Sequence, residues 1–184
     1  MQNACEEASI PMAVAWAENE ETLPEKAIVE RDIRSISANA EKRFGKNAYD
    51  TSAEDTAVLF REYSGREATI RHDAAPVDIM DTIRKGNIVI APFDGRKLGN
   101  RNYTPPGPVY HMLVIIGYDA ETGEFVTNDP GTRSGASYRY DEDVLFEAIR
   151  DYRTGYHLKT TDTPEKTIII ARRDAAEARR GDLF

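Results

Sequence analysis

The chain is nearly devoid of cysteine: Cys5 is the only one among 184 residues. That excludes an intrachain disulfide and a thiolate metal cluster. Histidine is almost as scarce, and His72, His111 and His157 show neither HExxH nor another metal-ligand spacing, so metal catalysis is not expected. No apolar run approaches the ~18–20 residues that a membrane-spanning helix needs. The first residues, MQNACEEAS, lack the basic start and apolar stretch of a signal peptide. Positive charge is in deficit, with 24 Lys and Arg against 32 Asp and Glu, a net charge of −8. Binding phosphates requires a basic face, so a nucleic-acid partner is not expected. The chain reads as soluble; secretion or envelope association of a fuller protein stays open.

What remains is ordinary for a globular protein: 40% apolar and 30% charged residues, enough for one domain with a real core. Helical signals dominate the first half. Residues 8–18 (ASIPMAVAWAE) read as a buried helix, Thr22 with Glu25 as a capping box, and Ala27 to Ile36 as helical spacing. A second box, Ser52 with Asp55, opens a helix with Val58, Leu59, Phe60 and Tyr63 inward, and Gly65 stops it. Ala68–His72 reads as a short strand. Pro76 and Gly86 bracket a helix expected to turn Val77, Ile79, Met80 and Ile83 inward.

After Gly86 the texture changes. Residues 87–93 (NIVIAPF) and 112–118 (MLVIIGY) are short β-branched apolar runs, hence buried strands. The turn residues 119–124 (DAETGE) predict a hairpin joining 112–118 to 125–128. A helix over 141–152 and a strand over 166–171 follow, then a charged tail over 172–184. The expected fold is α+β: a helical N-terminal half packed on an antiparallel sheet from the C-terminal half, one domain over 1–171. The long loop 94–109, rich in Gly, Pro and Asn, reads as a wall of a cleft or as a plain surface excursion.

Three residues can be joined into one site. Cys5 precedes a buried helix, whose unpaired N–H groups and dipole favour a thiolate. A hairpin sets the start of one strand beside the end of the next, so His111 and Asp129 are expected neighbours, the acid accepting the imidazole N–H. Asn128 is the alternative orienting residue. Nucleophile, base and orienter make an activated-thiol arrangement. Taken alone, Cys5 could be a buried thiol, His111 a strand-end histidine and Asp129 a turn former.

The runs Asn3-Ala4-Cys5-Glu6-Glu7-Ala8-Ser9, His111 to Asp119 and Asn128-Asp129-Pro130-Gly131 resemble those of cysteine-peptidase family 39-like domains. These are relatives of the bacterial bacteriocin-leader-processing peptidases, within the papain superfamily. The resemblance covers roughly residues 2–171. It implies a papain-like fold, hydrolysis of peptide bonds in a peptide or protein substrate, and no cofactor. Three features depart from that pattern. Such enzymes place an oxyanion-hole glutamine upstream of the cysteine; here Gln2 is the sole candidate, which sets the expectation of a truncated chain. Glu6 and Glu7 follow the thiol directly, and their charge opposes a thiolate. Pro11 interrupts the expected helix and predicts a regular start near Ser9. The other function compatible with these residues is a catalytically inactive papain-like module that binds peptides or a partner protein. A transglutaminase-like or cell-wall-amidase thiol enzyme is a third option, since those share the residue order.

Overall fold

The computed structural model describes residues 4–19, 25–46, 48, 50–155 and 165–172. Three helices come first: α1 (Cys5–Ala17), α2 (Lys26–Phe44) and α3 (Ala53–Ser64). Strand β1 (Ala68–Arg71), helix α4 (Pro76–Arg84) and strands β2 (Ile88–Phe93), β3 (His111–Asp119), β4 (Glu124–Asn128) and β5 (Tyr138–Asp141) follow. Helix α5 (Glu142–Ala148) and strand β6 (Ile168–Ala171) complete the order. The strands form one six-stranded sheet in the order β1-β6-β2-β3-β4-β5, every pair antiparallel. This is an α+β fold.

The apolar runs of β2 and β3 are continuous because both sheet faces are covered. Ile88, Ile90, Met112 and Val114 face a core shared with Ile10, Ala13, Ile36, Leu59 and Phe60 of α1, α2 and α3. The alternate residues Val89, Ala91, Phe93, Leu113 and Ile115 face the opposite core, with Ile79 of α4 and Leu145 and Ala148 of α5. The helices are thus divided between the two faces.

Local chemistry sets several element ends. The Ser52 side chain accepts from the Asp55 N–H at 3.2 Å, and Gly65 closes α3 at φ 66°. Pro76 is the first residue of α4. The hairpin of β3 and β4 is present, with Tyr118 opposite Phe125 and Val114 opposite Asn128.

Four expectations fail in instructive ways. Helix α1 starts at Cys5, not near Ser9, and runs through Pro11. Val77 and Tyr63 point outward: the inward faces are set by tertiary packing, not by hydrophobicity alone. The helix expected over 141–152 stops at Ala148, because the next residues are taken by the end of β2. Asp94 N–H donates to the Ala148 carbonyl, Arg150 N–H donates to that of Pro92, and Ile149 bridges Phe93. Strand β5, four residues long, was not anticipated. Thr22 of the first capping box lies outside the described residues, where α2 begins after Glu25. So does the tail beyond Arg172.

Candidate active site

Two elements bring the candidate residues to one end of the sheet. Met112 lies opposite Pro92, whose carbonyl is turned away from β3 to accept the Arg150 N–H, and the β3–β4 ladder begins only at Val114. The backbone of Met112 is thereby left to helix α1. Ser9 Oγ donates to the Met112 carbonyl at 3.2 Å, and the Met112 N–H faces the Cys5 sulfur and lowers its pKa. Cys5 and Ser9 are four apart and share one face of the helix. That pairing seats the Cys5 thiol beside the residue that follows His111. Cys5 is half-buried and free.

His111 is 2% exposed and Asp129 1%. His111 Nε2 lies 2.9 Å from Asp129 Oδ1. Burial pushes the Asp129 carboxyl up, but its bond and charge interaction with His111, then the bonds from Tyr103 and Tyr140, hold it down at about 2. An ionised carboxylate only accepts, so Nε2 donates to it and Nδ1 is the ring nitrogen turned away from Asp129.

Asp129 is held by five donors. Oδ1 also accepts the Gly131 N–H at 2.8 Å. Oδ2 accepts from the hydroxyl of Tyr103 at 2.5 Å, the hydroxyl of Tyr140 at 2.7 Å and Asn100 Nδ2 at 3.2 Å. Asn100 Nδ2 also donates to the Tyr140 hydroxyl at 2.7 Å, and Tyr103 meets the His111 ring edge-on at 5.4 Å. A fully bonded carboxylate cannot swing, and it fixes the imidazole it holds. Gly131 is needed for space: a Cβ there would sit 2.8 Å from His111 Cε1 and 3.1 Å from Asp129 Oδ1.

Asn128 is bonded elsewhere. Its Oδ1 accepts the Ser137 N–H at 3.1 Å, as alternation along the strand requires. Tyr103, Tyr140 and Asn100 were missed in the sequence. Tyr140 stands on the unforeseen β5, and Tyr103 and Asn100 lie in the loop 94–109. That loop is no plain excursion. Arg96 grips Asp94 through bonds of 2.8 and 2.7 Å, and Arg150 adds one at 3.4 Å. Burial would raise the Asp94 carboxyl, yet the Arg96 bonds and charge bring it below its ordinary value.

The thiol itself corrects the expectation from the helix dipole. Burial pushes Cys5 well above the ordinary thiol value, and the Glu6 charge and hydrogen bond push it further. Cys5 Sγ donates to Glu6 Oε2 at 3.2 Å, while the Tyr152 hydroxyl donates to Glu6 Oε1 at 2.6 Å. Tyr152 in turn packs edge-on against Tyr110, at 4.9 Å between ring centres. Glu6 and Glu7 are buried at the helix start, where Ala4 provides no side-chain cap and each carboxylate takes its own backbone N–H. Glu7 also accepts from Ser37 at 3.2 Å, and burial, followed by the Glu6 charge, raises it to about 7.

Gln2 and His157 lie outside the described residues. His72 is exposed and lies 3.6 Å from Glu54. Among the described residues no group of three or more His, Cys, Asp or Glu side chains is placed to hold a metal ion, and no helix is long and apolar enough to cross a membrane.

Comparison with known proteins bears on the fold and the family. A structure from Bacillus anthracis, provisionally classed as a C39-like peptidase, aligns over 94% of this chain and 90% of its own. The TM-score is 0.61 and the identity 13%, a likeness of fold alone. A search of curated proteins finds no match. The Peptidase_C39 like family matches residues 1–158, most of the chain including the Cys5, His111 and Asp129 segments, and the chain belongs to that family.

Proposed function

We propose that the chain is a cysteine peptidase in which Cys5 is the nucleophile, His111 the general base and Asp129 the residue that orients it. The observation that carries this reading is the buried His111–Asp129 pair, one residue from the backbone group that seats the Cys5 thiol. The Nε2 proton stays with Asp129, so Nδ1 can take the thiol proton. The thiolate then attacks the substrate carbonyl carbon, forming a C–S bond and an oxyanion. Collapse breaks the C–N bond as the imidazolium protonates the leaving amine. Water, deprotonated by His111, attacks the thioester, releases the acid and regenerates the thiol. The Cys5 backbone N–H, at the helix start, and Gln2 are the proposed oxyanion donors.

A specific observation favours a second reading, an inactive module that binds peptides. The Cys5 thiol donates to the Glu6 carboxylate at 3.2 Å, and burial, followed by the Glu6 charge, pushes its pKa up. One experiment separates the two: a peptide library incubated with the protein, with Cys5→Ala and with His111→Ala, and analysed by mass spectrometry. The peptidase reading expects cleavage that falls at least ~10³-fold in either variant. Peptide capture without cleavage would establish the binding module instead.

A further inference from the structure

Glu6 is 1% exposed. A buried carboxylate needs a compensating partner, and a cation would be the usual one. Among the described residues, the groups that act on Glu6 are instead acidic or neutral. On its own helix stand the Cys5 thiol and Glu7; Asp50 acts from the chain before α3, and Tyr152 from the segment after α5. Across the thiol, strand β3 presents the Met112 N–H, with His111 next to it in the chain. Glu6 spends one oxygen on the Tyr152 hydroxyl and the other on the thiol. Its proton and that of Cys5 are therefore coupled across 3.2 Å.

We propose that Glu6 is a positioning residue that sets the protonation state of Cys5. As a carboxylate it accepts the S–H proton and keeps the thiol neutral; as a carboxylic acid, with Oε1 held by Tyr152, it turns its own O–H to the sulfur and supports a thiolate. The thiol proton then passes to His111 Nδ1, and Glu6 draws its proton from solvent. Burial, the first cause, and the Asp50 charge favour the acid form, whereas the Tyr152 bond favours the carboxylate. The Cys5 side obeys the same logic: a charged Glu6 beside a thiolate is a like-charge pair in a buried site. This inference rests on the thiol-hydrolase reading only for its consequence in catalysis.

Cys5 is the only cysteine, so alkylation by iodoacetamide reports on it alone. The assay needs no peptide, and its failure is distinct from a failure to find cleavage. Glu6→Gln keeps the shape, retains an acceptor for Tyr152 and offers the sulfur a permanent N–H donor without charge. It is expected to lower the apparent Cys5 pKa, giving ~10-fold faster alkylation at about pH 7. Followed across the pH range in which both proteins stay folded, the advantage over the unaltered protein should grow as the Glu6 carboxyl ionises, a readout that loosened packing would not produce. Equal rates in the two folded proteins across that range would overturn the proposal. Should Glu6→Gln not fold, Tyr152→Phe decides. It removes the bond that favours the carboxylate, so Glu6 shifts toward the acid form that supports a thiolate and alkylation quickens several-fold; an unchanged or slower rate would refute the assignment.

Discussion

Tyr103→Phe removes one oxygen and leaves the ring that meets His111 edge-on. In the structure that hydroxyl donates to Asp129 Oδ2 at 2.5 Å, one of three donors on this oxygen. A hydrogen bond to a charged group contributes about 1.5–3 kcal/mol net. For a domain of this size each kcal/mol moves Tm by ~2–4 °C, so Tm at neutral pH should fall by ~3–12 °C. The acid limb provides the specific signature. Asp129 sits at about 2 in the fold against an ordinary 3.8. A depressed carboxylate adds stability above the unfolded value and loses it as pH falls through the folded one, here from about 4 to about 2. Losing the Tyr103 donor raises the folded value, so Tyr103→Phe should unfold at a higher pH and show a smaller stability drop across that window. Calorimetry at neutral pH and acid titration by circular dichroism measure both. A Tm within about 1 °C of the unaltered protein, with an unchanged acid midpoint, would refute the claim that the phenol holds this carboxylate.

Two further outcomes follow from neighbouring residues. Glu7 has a folded pKa of about 7 against an ordinary 4.5, so its neutral form stabilises the fold below about 4.5 and that benefit is lost as pH rises through about 7. Glu7→Gln should therefore add up to ~3 kcal/mol of stability at about pH 8 and little at about pH 4, as measured by urea unfolding at the two pH values; a pH-independent change would contradict it. Gly131→Ala forces a Cβ to within 2.8 Å of His111 Cε1, so the imidazole must shift. The expected result is a fall in turnover of ~10²-fold and a displaced His111 ring signal by NMR, whereas full activity would show that the ring has room to give.

Much of this site was legible in the sequence, and the reasons are local. A β-branched run, a turn-rich hexamer and a second short run fix a hairpin, and a hairpin fixes that His111 meets the chain near Asp129. Adjacent residues of an extended chain face opposite ways, and in the structure Asn128 meets Ser137 while Asp129 meets His111. The partners on the far side of the carboxylate were not legible. Tyr103 and Asn100 reach Asp129 through the path of a sixteen-residue loop that Arg96 and Arg150 pin at Asp94, and no periodicity encodes such a path. Tyr140 belongs to a strand too short to outweigh the helix that follows it. Glu6 was legible in sign but not in strength. Its charge beside Cys5 is plain from the sequence, while its burial depends on Tyr152, 146 residues away, arriving because the chain after α5 is diverted to the end of β2.

The central claim is that Cys5 attacks a carbonyl with the help of His111. Intact-mass analysis after mixing the protein with a peptidyl p-nitrophenyl ester tests it most directly. An activated ester acylates even a weak thiolate and does not depend on which peptide sequence is preferred. The expected result is a burst of nitrophenolate with one acyl adduct on Cys5, followed by its hydrolysis. Both rates should fall by at least ~10³-fold in His111→Ala while the fold persists. No adduct on Cys5, or acylation equally fast without the His111 imidazole, would contradict it.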